Sequence, residues 1–196
     1  MSAHGLSAAD FDDGMDAARR AQLTRHVAST NLLMMGLGAA VIGASILAGQ
    51  GPGGWVQVFA VPAVFLILWG VVYRRAQTMG VRKRGVGYYP IALIALLSLL
   101  FGLLPLAYNV GALCLLGVGS FVIGWRERCW PVWATALAAV VVGLATVSEP
   151  VHRMLGIEET PTSYVPAGIA TLIFAVIALA GAGWSRIAEN QGLRVG

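Results

Sequence analysis

Residues 27–49, VASTNLLMMGLGAAVIGASILAG, carry no charged side chain, and five further stretches share that property: 55–73, 88–107, 109–125, 130–148 and 164–184. About 20 predominantly apolar residues are needed to cross the roughly 30 Å of hydrocarbon in a bilayer. A helix is the simplest element that satisfies its own backbone there. Only 11% of the 196 residues are charged and 58% are hydrophobic, with a mean hydropathy of +0.76. A soluble domain carries roughly 25% charged residues, so this supply cannot cover a water-facing surface. The expected fold is an all-α integral membrane protein, a bundle of six transmembrane helices spanning 27–184. The third and fourth spans are divided only around Tyr108, where Pro105, Asn109 and Gly111 supply the chemistry of a tight turn.

Threading follows from the basic residues. With six spans, the loops alternate between two sides. Twelve of the thirteen Lys and Arg then fall on one side, and Arg153 alone on the other. Cations in short loops are held on the cytoplasmic side by the membrane potential and by anionic lipid. Both termini are therefore expected in the cytoplasm, with the protein in the cell membrane. The densest basic segment, Arg74, Arg75, Arg82, Lys83 and Arg84, has no Asp or Glu between Asp16 and Glu127 to offset it. Topology and contact with anionic inner-leaflet lipid account for its charge. No aromatic residue interleaves it, and nucleic acid is not expected as a partner. Tyr73, Tyr88, Tyr89, Trp125, Trp130, Trp133 and Trp184 form one aromatic belt, and Trp55, Tyr108 and Tyr164 the other. Trp69 lies about a turn too deep for this pattern. Twelve arginines against one lysine, with abundant Ala, Gly and Val, point to a GC-rich and hence bacterial genome.

Residues 1–26 read as a cytoplasmic tail. Asp10, Asp12, Asp13 and Asp16 precede Arg19, Arg20 and Arg25, a polarity that complements a helix dipole. Phe11, Met15 and Ala18 share one side, so an amphipathic helix is expected despite Gly14. The apolar run that follows is longer than the core of a signal peptide, and it is read as an uncleaved first span. Residues 185–196 read as a second cytoplasmic tail. Cys114 and Cys129 should sit at different depths, beyond the reach of a disulfide. Small residues recur at helix-packing spacing: Gly36, Ala40, Gly43 and Ser45; Ser120 and Gly124; Ala139 and Gly143; Ala178 and Ala182.

A search for chemistry returns little. An ionisable group at depth marks function by default, and the six apolar stretches contain no Asp, Glu, His, Lys or Arg. That removes the usual ligands for an intramembrane metal, the axial ligands of a haem and the titratable group of a proton-coupled carrier. No cofactor is expected. Ser120, in GVGSFVIG, has no histidine or lysine within the spans to activate it. The polar candidates inside the spans are Asn31, Gln57, Ser98, Ser120 and Thr135, with Asn31 placed to snorkel toward the surface. Outside, Glu149, His152 and Arg153, followed by Glu158 and Glu159, form a candidate contact in the 149–163 loop.

Two functional readings follow. The first is a non-enzymatic accessory, scaffold or regulatory subunit acting through another membrane protein or a second copy. The second is a small transporter or channel component for a neutral or hydrophobic solute, lined by the polar span residues.

Overall fold

The structure, a computed structural model, describes residues 27–51, 54–78, 90–91, 93–94, 110–147 and 164–191. All regular structure among them is helical. α1 spans Val27–Ser45 and widens into a π-turn at Ile46–Gln50; α2 is Trp55–Thr78, α3 Ala112–Arg126, α4 Trp130–Val147 and α5 Tyr164–Gln191. Four of these helices are long and apolar enough to cross a membrane, and α3 is a shorter apolar helix. The protein is a multi-pass α-helical membrane protein.

α1 lies at the centre, touching all four other helices and packing most extensively along α5. Its Met35 and Ile42 are fully buried, as are Leu116 of α3 and Val132 of α4. Burial from lipid gains little hydrophobic free energy, so closeness of approach holds such a bundle together. Glycine supplies it. A Cβ placed on Gly36 or Gly43 of α1 would meet Leu179 or Leu172 of α5 at 2.8 and 2.9 Å. The α3–α4 hairpin is tighter still, because the neighbours there are backbone: a Cβ placed on Gly117 would stand 2.8 Å from Ala136 O, one on Gly124 2.7 Å from Trp133 N, and one on Gly143 2.5 Å from Cys114 N. The small-residue faces read from the sequence are thus used within one chain.

The α3–α4 turn closes as a Schellman motif. Cys129 N–H donates to Gly124 O at 2.8 Å and Arg128 N–H to Trp125 O at 3.1 Å. The left-handed position, normally glycine, is Arg128 at φ 52°.

Side-chain contacts fix which helix ends lie together. Ser29, at the start of α1, meets Glu189 near the end of α5, and Thr30 meets Arg75 near the end of α2. Cys129, between α3 and α4, feels the Glu189 carboxylate. At the opposite end, Gly111 abuts Val147 and Gly168 abuts Leu47. Every charged residue described, namely Arg74, Arg75, Arg126, Glu127, Arg128, Arg186 and Glu189, therefore sits at or near one end. Thr78 lies at that arginine-bearing end and Val110 at the other.

Several expected boundaries move. The described residues show five helices and four membrane-length spans rather than six. The third span, 88–107, falls outside them except for helical residues at 90–91 and 93–94, where Ile91 packs on the core. The fourth, expected at 109–125, begins only at Ala112, because Gly111 at φ 86° interrupts the helix. At about 1.5 Å per residue, α3 is roughly 22 Å long and shorter than the hydrocarbon core. The second and sixth spans run past their last aromatic residue, to Thr78 and Gln191. Arg, Ala, Gln and Glu are good helix formers, so the helix outlasts the apolar stretch, and residues 185–191 continue it. The proposed tail helix at 1–26 and the loop at 149–163 lie outside the described residues.

Candidate functional site

Polar side chains join three helices at the arginine-bearing end. Ser29 Oγ donates to Glu189 Oε2 at 2.9 Å, and Ser185 Oγ, one turn back on α5, donates to Oε1 at 3.2 Å. Arg75 Nη1 donates to Thr30 Oγ1 at 3.0 Å. The first turn of α1 is thereby tied to the last turns of both α2 and α5. Glu189 is half-buried and Ser29 buried. A carboxylate that accepts two hydroxyl hydrogens in this setting acts as a clasp. The described residues place no histidine beside it to complete a nucleophile–base pair.

Cys129 lies on the same side. Burial pushes its thiol pKa up, the Val132 backbone N–H bonded to it acts in the opposite direction, and the Glu189 and Glu127 carboxylates add to the rise. The thiolate is the reactive form. Cys129 is therefore expected to alkylate more slowly at pH 8 than an exposed cysteine, and faster as the pH is raised. Glu189→Gln, by removing a nearby negative charge, should speed it at fixed pH; rates measured with a maleimide check both. Cys114 is buried in α3, and both cysteines are free.

The residues singled out in the sequence do not converge. Gln57, 1% exposed, lies in the first turn of α2 at the end away from the arginines, and its Nε2 donates to Gly51 O at 2.6 Å. Asn31 lies near the arginine-bearing end. It is 4% exposed, with its polar group engaged. Ser120 is buried on α3. Thr135 Oγ1 donates within its own helix, to Pro131 O at 2.7 Å. Thr146 and Thr171 do likewise, and Ser45 bonds back to Ile42 O. Arg74 and Arg75 are exposed at the end of α2. Ser98, Arg82, Lys83, Arg84, Glu149, His152 and Arg153 lie outside the described residues. Trp69, anomalous as a belt residue, stacks on Tyr73 with ring centroids 5.7 Å apart and packs on the core. Among the described residues no group of three His, Cys, Asp or Glu could hold a metal ion.

The sequence reading missed the Ser29–Glu189–Ser185 clasp. One signal was available. Ser185 and Glu189 are four apart on a helix that continues past Trp184, which places them on one face. Their partner on α1 is 160 residues away and could not be read locally.

The outward face of α2 has its own order. Val56, Phe59, Ala63, Leu66, Gly70, Tyr73 and Gln77 alternate in steps of three and four, the spacing of a coiled-coil seam. All are exposed except Gly70, which is half-buried; a Cβ placed there would meet nothing within 4 Å. This glycine serves no packing need that the described residues show.

Compared with known proteins, the chain matches no family model, no curated protein and no solved structure.

Proposed function

We propose that the protein is a non-catalytic accessory subunit of a membrane assembly, a scaffold or regulator, with its arginine-bearing end in the cytoplasm. It acts through a transmembrane helix of another chain docked along α2. The supporting observation is the outward seam on α2, regular over its length and holding a glycine that leaves room for a second helix. Small residues at such a seam let backbones approach closely in lipid. The polar side chains support the reading too. Gln57, Thr135, Thr146, Thr171 and Ser45 bond to main-chain carbonyls, and the described candidates form no shared path for a solute.

A photo-crosslinking residue at Phe59 or Leu66, in native membranes, is expected to capture a second polypeptide. The same residue at Val176, on the exposed face of α5, should capture none. Gly70→Leu should leave the protein folded while reducing capture several-fold, since the side chain fills the seam and not the core. Sequencing the captured chain separates a second copy from another protein. Absence of capture at both α2 positions, or uptake of a neutral solute by proteoliposomes holding this protein alone, would overturn the reading.

A further inference from the structure

A groove of about 570 Å³, open on its outer side, lies between α4 and α5. Ala134, Ala138 and Val142 line it from α4; Ala170, Phe174 and Ile177 line it from α5. Thr135 adds the one hydroxyl of the lining, and that hydroxyl is bonded to Pro131 O in its own helix. The groove thus presents hydrocarbon and asks for no hydrogen bond. Its volume suits a small molecule or a length of chain, not a helix about 10 Å across.

Its register points to one end of the bundle. Trp130 precedes Ala134 by one turn on α4, and Trp184 follows Ile177 by seven residues, two turns along the same face of α5. These indoles are 64% and 79% exposed, at the level where amphipathic rings meet headgroups. Two residues before Trp130 stands Arg128, exposed and held at φ 52° in a position where glycine is the default. Arg126 is exposed beside it at the end of α3. Glu127 lies between them in the chain, and its carboxylate and that of Glu189 act on the adjoining Cys129. An uncommon backbone conformation held by a bulky cation is a reason to look for what the cation meets.

We propose that this groove is a binding site for an anionic phospholipid. One acyl chain lies between α4 and α5, the glycerol region sits between Trp130 and Trp184, and the phosphate is met by Arg128 with Arg126. The apolar lining selects a hydrocarbon chain. The two arginines of the α3–α4 turn, with the Glu127 and Glu189 carboxylates only partly offsetting them, select a negatively charged headgroup over a zwitterionic one. The site is separate from the α2 seam and does not rest on it.

Native mass spectrometry of the detergent-solubilised protein, titrated with dioleoyl phosphatidylglycerol or dioleoyl phosphatidylcholine, tests the proposal. The wild type is expected to retain phosphatidylglycerol preferentially. Arg128→Gly preserves the turn geometry and should reduce that preference about fivefold, the ratio equivalent to about 1 kcal/mol for one cation at an anionic surface. Adding Arg126→Gln should reduce it by a similar factor again. Ala138→Trp, filling the groove from an exposed position, should abolish retention of both lipids, and Val142→Trp provides a second block should the first disturb folding. Inorganic phosphate should not displace the lipid. Equal retention of the two lipids by the wild type would overturn the proposal, as would retention unaffected by both groove variants. Capture of a polypeptide by a crosslinker at Ala138 would overturn it too, by showing a protein in the groove.

Discussion

Gly143→Ala is expected to destabilise the bundle by about 3 kcal/mol, the upper range for overpacking in a well-filled interior. The added methyl carbon would stand 2.5 Å from Cys114 N and 2.9 Å from Cys114 Cα. These are main-chain atoms of α3, and no rotamer change can withdraw them. Relief requires α3 and α4 to separate, which loosens the neighbouring approaches at Gly117 and Gly124 as well. Gly183→Ala on α5, where a Cβ meets nothing within 4 Å, is the matched control. There the lower backbone entropy of alanine should make the helix more stable by about 0.5–1 kcal/mol. Unfolding of both variants by titration with sodium dodecyl sulfate in mixed micelles measures the difference. Should Gly143→Ala unfold alongside Gly183→Ala, the two helices do not approach as closely as the hairpin geometry requires.

How much of this was legible beforehand depends on the range of the interaction. Apolar runs located the spans because solvent decides them residue by residue: α4 differs from its expected 130–148 by a single position. Arginine placement was legible for the same reason, and the structure puts the five described arginines at or near one end. Helix termini were less legible. Hydropathy falls at Arg74 and Arg186, yet the backbone hydrogen bonds continue to Thr78 and Gln191, since leaving hydrocarbon is no reason for a helix to stop. Gly111 was read as turn chemistry but not as the break that delays α3, because its φ of 86° depends on how closely the chain passes Val147 and Gly143 O. The glycines at 36, 43, 124 and 143 were identified as packing residues from their spacing. Which helix each one meets was not encoded in that spacing. The Ser29–Glu189 clasp was illegible for that reason: it joins the first turn of one helix to the end of another, and nothing local pairs α1 with α5. The α2 seam was present as a pattern from the start, but only burial separates an outward seam from an inward one.

Gln57 was one of the polar candidates inside the spans, and the structure supplies its partner. It is the third residue of α2, after the Gly-rich segment 49–54, where a capping box would have its side-chain oxygen accept from the Gly54 N–H. Here its amide donates to Gly51 O across a connection in which Gly49 and Gly51 hold φ values of 83° and 62°. Gln57→Leu keeps the volume and removes the donor, leaving the Gly51 carbonyl without it beside a buried side chain. The expected cost is about 2 kcal/mol, within the range for a buried polar group left unsatisfied. Gln57→Glu separates the hydrogen bond from mere burial through its dependence on pH. While protonated, the new carboxyl can donate to Gly51 O and replace most of what the amide supplies. Once ionised it has no hydrogen to give and sets a negative charge against a carbonyl oxygen in a site only 1% exposed. Ionisation should therefore cost stability, and the variant should become less stable as the pH rises. Detergent unfolding of Gln57→Glu between pH 4 and pH 8, set against a wild type without that slope, reads the effect. A flat profile would mean that the Gln57 side chain does not hold the Gly51 turn.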